Sequence, residues 1–255
     1  MDIGLSIATS ALQATEQGVS VYGNDLVNAN TAAFSSTAPI FAGLPAALQT
    51  NAALAAGVTG ASAQASIGQG VYLAGQEQMG TSPIQVTGIP TDLAISGSGY
   101  FAVKTPAGTA YTQDGQFTVD GSGTLVTQEG QPVLSTSGQP ITVPLKDAAS
   151  VQIDPQGHVL AGGKSQGQIG VATFPNPQGL LATGQNSYVA GVNSGPAQLG
   201  PVGGGVTLTP GAILGSSTDV SQALVGMIEL SRSFALDAHA AQDASQMLQW
   251  AAQIS

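Results

Sequence analysis

Apolar residues near the start of the chain recur every seven positions. Leu5, Leu12, Val19 and Leu26 form one row, and Ala8, Thr15, Tyr22 and Ala29 follow three places behind them. This a/d spacing is the pattern of a helix that pairs along a seam. The same spacing returns at the other end. There Val220, Met227, Phe234, Ala241 and Leu248 make one row, and Leu224, Ser231, Ala238 and Ser245 the other. Helices over 3–30 and 218–252 would be about 42 Å and about 52 Å long. Many seam positions are Ala, Ser or Thr, which lets backbones approach closely. Two heptad helices at opposite ends of one chain most simply pair with each other, although an ordinary two-helix contact inside one globular domain has the same pattern. Apolar residues off the seam, such as Ile3, Ile7, Ile228 and Leu230, are then left to face other subunits. The first helix closes on NDLVNANTAAF, which carries Asn24, Asn28 and Asn30. Asparagine is a poor helix former that suits a helix end. That accounts for Asn30 better than for Asn24 and Asn28, which share one face.

Between the helices the period changes. Residues 35–83 are rich in Ala, Gly, Ser and Gln and read as an extended arm, with a short helix near 44–56. From about 84 short alternating runs are separated by GSG, PAG, DG, DGSG and EG, where glycine supplies the backbone conformation that tight turns need. Strands are expected at 100–104, 109–113, 116–119 and 124–127, in sequential antiparallel order. More are expected at 141–144, 150–154, 157–161 and 168–174. Gly and Pro then return over 186–211 and suggest an extended connection back to the last helix. The fold class predicted is α+β. Terminal heptad helices pair as a coiled-coil domain (1–34 with 212–255), joined by an arm (35–83). An inserted antiparallel β domain (84–190) and a return linker (191–211) complete it.

Composition narrows the function. The chain of 255 residues has 4 Lys and Arg against 14 Asp and Glu, a formal net charge of −10, and no cation before Lys104. Nucleic acid binding and attraction to an anionic membrane surface both need cations, so neither is expected. Charged residues make up 7% of the chain, far below the usual level of about 25%. A surface of Gly, Ser, Thr, Gln, Asn and Ala repels its neighbours weakly and suits a subunit that packs against copies of itself. An acidic surrounding that neutralises carboxylates would favour the same composition. With no cysteine, disulfides and thiolate chemistry are unavailable. The start of the chain lacks the basic and continuous apolar regions of a secretory signal, and no apolar run approaches the length of about 18 residues that would suggest a membrane span.

No catalytic constellation emerges. His158 and His239 have no companion ligands at metal-binding spacing. GKSQG at 163–167 matches the form of a nucleophile elbow, but the chain continues as strand where the elbow needs a helix. GGKS at 162–165 lacks the glycine that a phosphate-binding loop requires at 158. The carboxylates are scattered singly. The chain is therefore expected to be no enzyme, with no cofactor, no metal and no catalytic residue. A secreted β-rich hydrolase or carbohydrate-binding protein, and a phage tail-tube-like protein, are the readings from other classes.

Three segments in order carry a resemblance. GNDLVNANTAAF is similar to the pattern G-N-N-[LI]-A-N-x-N-T-x-G-[FY]. TDLAISGSGYFAV with AYTQDGQFTVDGSGTLVTQEGQPVL resembles L-D-L-A-I-x-G-x-G-F-F followed by Y-T-R-D-G-x-F and G-x-L-V-T. STDVSQALVGMIELSRSFALDAHAAQDASQMLQ resembles a C-terminal signature that ends in D-x-M-L. Together they resemble the bacterial flagellar rod and hook family, the axial proteins of the basal body. The chain's length and FPNPQGLLATGQNSY point to the rod branch, with other axial paralogues, proximal rod or hook-type, as alternatives. It departs from the pattern at Asp25, where Asn is usual, at Ala33, where Gly is usual, and at Ser231, where Gln is common.

The resemblance implies a structural subunit of the drive shaft, polymerised into a helical tube. Its partners would be copies of itself, proximal rod proteins, the hook protein, the surrounding basal-body ring proteins and the flagellar type III export apparatus. The location implied is the basal body, spanning the periplasm, after export without a cleaved signal. Leu5, Leu12, Val19, Leu26, Val220, Leu224, Met227, Phe234 and Leu248 are the expected helix-pairing and assembly residues. Asn24, Asn28 and Asn30 are the expected inter-subunit polar contacts.

Overall fold

Both heptad segments are helical. Helix α1 spans Asp2–Val27 and α2 spans Val220–Ile254. The computed structural model describes residues 2–43, 70–184 and 186–254, so the short helix expected near 44–56 lies outside the described residues. Helix α2 starts where it does because Asp219 caps it. One carboxylate oxygen accepts the N–H of Ser221 at 2.9 Å and of Gln222 at 3.2 Å, two of the donors a helix start leaves open.

The chain divides into two units. The first joins Met1–Ala29, Ser35–Gly80 and Thr218–Ser255; the second joins Asn30–Phe34 and Thr81–Ser217. In the first unit, part of the expected arm is a ribbon. Strand β1 (Ser36–Gly43) pairs antiparallel with β2 (Val71–Met79), and the register shifts between Ile40 and Phe41.

The second unit is built of short antiparallel strands. In chain order these are β3 (Ile84–Val86), β4 (Leu93–Ser96), β5 (Gly99–Thr105), β6 (Gly108–Thr112), β7 (Thr118–Val119), β8 (Leu125–Val126), β9 (Gln152–Ile153) and β10 (His158–Ala161). There follow β11 (Lys164–Gln168), β12 (Val171–Thr173), β13 (Leu181–Gly184), β14 (Ser187–Val189), β15 (Gln198–Gly200), β16 (Thr207–Pro210) and β17 (Ala212–Leu214). The largest sheet has the order β13-β14-β6-β5-β12-β15. Alternation along β5 sets its two faces. Phe101 and Val103 enter the main core with Leu93, Ile95, Leu125, Val133, Val159 and Ile169, all at most 1% exposed. On the opposite face Ala102 joins Tyr111, Leu134, Ala172 and Phe174, with Tyr100 and Tyr188 packed against them. Phe101 meets Phe117 edge-on at 5.1 Å, and Tyr111 meets Phe174 in the same way at 4.8 Å.

Several sequence expectations change here. β5 pairs with β6, and β7 with β8, but β6 turns away to pair with β14. The Asp114–Gly115 step is therefore not a hairpin turn. Glycine is needed there because a Cβ would collide with the carbonyl oxygen of Leu93, whose N–H donates to the Gly115 carbonyl at 3.0 Å. The stretch 141–144 forms an isolated bridge rather than a strand, and Leu145–Ser150 is a 3₁₀ turn. Residues 191–211 are no linker. β15 pairs with β12, β16 pairs with β4, and Val206 and Leu208 are buried in the core. Their apolar side chains are what hold this Gly- and Pro-rich stretch in the sheet. Ala33, where the family pattern has Gly, adopts a positive φ of 54° and is 3% exposed. That conformation costs a non-glycine residue about 1–2 kcal/mol. Its N–H donates to the Leu214 carbonyl at 2.8 Å, which helps hold it in place.

Candidate assembly surface

The helical unit is held together by close approach rather than by large side chains. On α1 the most buried residues are Ala8, Ala14, Thr15, Gly18, Val21 and Asp25. A glycine inside a helix costs about 1 kcal/mol relative to alanine, so it needs a packing reason. Gly18 has one. A Cβ there would lie 2.7 Å from Leu230 Cδ1 and 2.7 Å from Phe41 Cζ, so α2 and β1 both rest on the bare backbone of α1. The converse holds on α2, where the Tyr22 ring occupies the space a Cβ of Gly226 would take. Gly23 faces Met227. These contacts run down one helix as they run up the other, so α1 and α2 lie antiparallel. Leu230, expected to face other subunits, is half-buried against Gly18 instead. The missing Cβ opens that seat for it.

The ribbon is tied to α1 at two points. Asp25 Oδ2 accepts the Thr37 N–H at 3.0 Å, and Ser10 Oγ accepts the Val71 N–H at 3.3 Å. Asp25 is 3% exposed, and its other oxygen, Oδ1, has no hydrogen-bond partner. Burial pushes this carboxyl above the ordinary carboxylate range, opposed in part by the Thr37 N–H.

The sequence-predicted residues fall into three groups. Leu12, Val19, Leu26 and Met227 are half-buried. Val220, Leu224 and Phe234 are exposed. Leu5 and Leu248 lie within the helices, but their side chains are outside those described. A second apolar stripe, Val225, Ile228, Leu236, Met247 and Trp250, is also exposed on α2, from 53% at Ile228 to 71% at Leu236. Its spacings of 3, 8, 11 and 3 keep one face of a helix. Asn24 and Asn30 are exposed and Asn28 is half-buried. Asn28 Nδ2 donates to the Asn24 carbonyl at 2.9 Å and to Asn24 Oδ1 at 3.1 Å, so the two amides engage each other on the last turn. Sequence reasoning missed Gly18, Gly226, Phe41 and Ser10. The glycines inside two heptad helices were the signal that could have found the first pair.

Among the described residues no group of His, Cys, Asp and Glu is arranged to hold a metal ion, and no helix is long and apolar enough to cross a membrane. His158 Nδ1 lies 2.9 Å from Asp154 Oδ2 in a strand turn, and that same carboxylate's Oδ1 accepts the N–H of Gln156 and of His158. Asp154 and His158 thus form a turn-closing pair.

Comparison with known proteins places the chain. Residues 94–161 match the model of the flagellar hook protein FlgE/F/G D1 domain, a span that runs from β4 to β10. The chain is 34% identical over 234 residues to the flagellar basal-body rod protein FlgG of Bacillus subtilis, covering 88% of each. It is 30% identical over 262 residues to the protein of that name from Borreliella burgdorferi, covering 94% of each. To the flagellar hook protein FlgE of Escherichia coli it is 37% identical over 109 residues, 40% of this chain and 27% of that one. The rod-protein matches extend well beyond the β unit. The chain therefore belongs to the bacterial flagellar rod and hook family, and within it is most like the distal rod protein, FlgG.

Proposed function

We propose that this protein is a structural subunit of the flagellar rod, which assembles with copies of itself into a helical tube that carries torque from motor to hook. The observation that carries this reading is the exposed stripe of α2. A chain related to rod proteins over nearly its whole length leaves Val225, Ile228, Leu236, Met247 and Trp250 uncovered. Burying such side chains is worth about 1.5–3 kcal/mol each, and a head-to-tail contact that does not close on itself gives an open filament.

In the assembled shaft α1 and α2 pair as a coiled coil and form, with their flanking residues, the polymerisation domain. The β unit forms the outer layer, and the arm lies along a neighbouring subunit. Asn24, Asn28 and Asn30 present polar groups to that neighbour. The expected neighbours are proximal rod proteins on one side, the hook protein on the other and basal-body rings around them. The subunit reaches its periplasmic site through the flagellar type III apparatus without a cleaved signal. Its work is mechanical and no catalytic step is assigned to it.

Electron microscopy of the purified full chain tests this. Straight tubes are expected from the wild type, and none from the double variant Ile228→Asp, Leu236→Asp. A wild-type chain that stays monomeric at every concentration, or a double variant that assembles normally, would overturn the reading.

A further inference from the structure

Asp25 is the one residue of the family's helix-end motif that replaces an amide with an acid and is also buried. It sits on the last full turn of α1, and everything that surrounds it is short of positive charge. β1 carries no titratable residue. β2 carries Tyr72, paired with Ala42, and Glu77, paired with Ala38, one residue beyond Thr37. On α1 itself the other acids are Asp2 and Glu16, and Glu16 is nine residues away, about 13 Å along the axis. Helix α2 carries Glu229, Arg232, Asp237, His239 and Asp243, with Asp219 at its start. The antiparallel contacts of Gly18 with Leu230 and of Tyr22 with Gly226 set Arg232 level with Glu16, again about 13 Å from Asp25. An ionised Asp25 thus has one backbone N–H to stabilise it and no cation.

We propose that Asp25 is a proton-gated clasp between α1 and the arm: with its proton on Oδ1, the carboxyl holds the Thr37 N–H through Oδ2 without a buried charge, and loss of that proton loosens the base of β1 from the helix. The geometry suits both states. Oδ2 is already committed to Thr37 at 3.0 Å, while Oδ1 is buried and unpartnered, the position a proton would take. A buried carboxylate with a single hydrogen bond is costly, whereas the neutral acid is far less so. The upward push that burial gives Asp25 agrees with this assignment. The folded chain holds the proton more tightly than the unfolded one, so the clasp strengthens as pH falls through the raised titration. It weakens again on return to neutral pH. The clasp is a property of the single chain and does not depend on how subunits assemble.

Hydrogen exchange of the Thr37 amide in the full-length chain reads the clasp directly, after correction for the intrinsic pH dependence of exchange. Wild-type protection should rise from about pH 7.5 to a pH below the midpoint of the Asp25 titration, the direction expected for a proton held more tightly in the folded chain. Asp25→Asn, which keeps an acceptor without charge, should be well protected at both values and show no rise. Asp25→Ala should lose protection at both. Carbon-13 detection of the Asp25 carboxyl in the wild type gives a second reading that needs no variant to fold. A titration midpoint above the ordinary value of about 3.9 is expected. A midpoint at or below that value would overturn the proposal. So would wild-type protection that fails to rise on acidification, or a rise of equal size in Asp25→Asn.

Discussion

The two units bury different things. In the β unit large side chains vanish from solvent: Phe101, Leu93, Leu125, Ile169, Val103, Val133 and Val159 are all 0% exposed. In the helical unit the buried positions are mostly small, and the large apolar side chains of α2 stand outside. One unit finishes its core within a single chain. The other leaves Val225, Ile228, Leu236, Met247 and Trp250 exposed, and under the proposed assembly they would be covered by neighbouring chains. Stability should therefore be intramolecular in the first and dependent on protein concentration in the second.

Phe101→Ala should widen that contrast most. It removes a fully buried ring and its contact with Phe117, and should cost about 3–5 kcal/mol of β-unit stability. Urea unfolding followed by near-ultraviolet dichroism of the Tyr100, Tyr111 and Phe174 cluster would measure it, with the helical signal less affected. A loss below about 1 kcal/mol would mean that the β unit is not the self-sufficient body described. Gly18→Val attacks the other unit. Displacing Leu230 and Phe41 should cost about 1–3 kcal/mol, the usual range for overpacking. It should appear as a lower melting temperature at 222 nm, since both α-helices lie in that unit, and as poorer assembly.

The outline of this fold is plain in the sequence, but its reasons are less so. The heptads mark both helices because alternating spacings of three and four keep apolar residues along one face of a helix. They could not show that the tightest contacts fall on Gly18 and Gly226, since a missing side chain leaves no apolar letter to count. The turn dipeptides locate β5–β6 and β7–β8, where pairing is local. They fail for β1 with β2, and for β16 with β4, whose partners are far apart in the chain and whose register depends on tertiary contacts. Val206 and Leu208 were obscured by the glycines and prolines around them. Asp25 and Ala33 were visible as departures from a pattern, but only the structure shows one buried without a counter-charge and the other held at positive φ.

Asp114 sharpens the comparison through pH. Burial raises its carboxyl to about 6, with the nearby charges of Glu129 and Asp92 adding to the push and the Gln116 N–H opposing it. The folded value lies above the unfolded one, so the ionised group weakens the β unit at neutral pH. That penalty fades as pH falls through about 6. Asp114→Asn should raise β-unit stability by about 1 kcal/mol near pH 7.5, a value discounted for its partial exposure, with the gain disappearing below about pH 4. A constant gain at all pH values would exclude a titration. The smallest effect is expected from Asn24→Ala with Asn28→Ala. A better helix former at position 24 should stabilise α1 by a few tenths of a kcal/mol, offset by loss of the Asn28 amide's bonds to Asn24, yet the variant should assemble less well if these amides meet a neighbour. Unchanged assembly would reduce them to a helix-end device.

Where the chain passes into and out of the β unit, the two backbones run side by side. Ala33 N–H donates to the Leu214 carbonyl at 2.8 Å and Ser217 N–H to the Phe34 carbonyl at 2.9 Å. The β unit is in this sense a cassette with a closed collar. A replacement body of another size, joined at the same two segments, would leave these two backbones paired as they are. Grafting and enlargement by natural insertion are therefore both open at this point of the chain, with the collar rather than the sheet as the part to preserve.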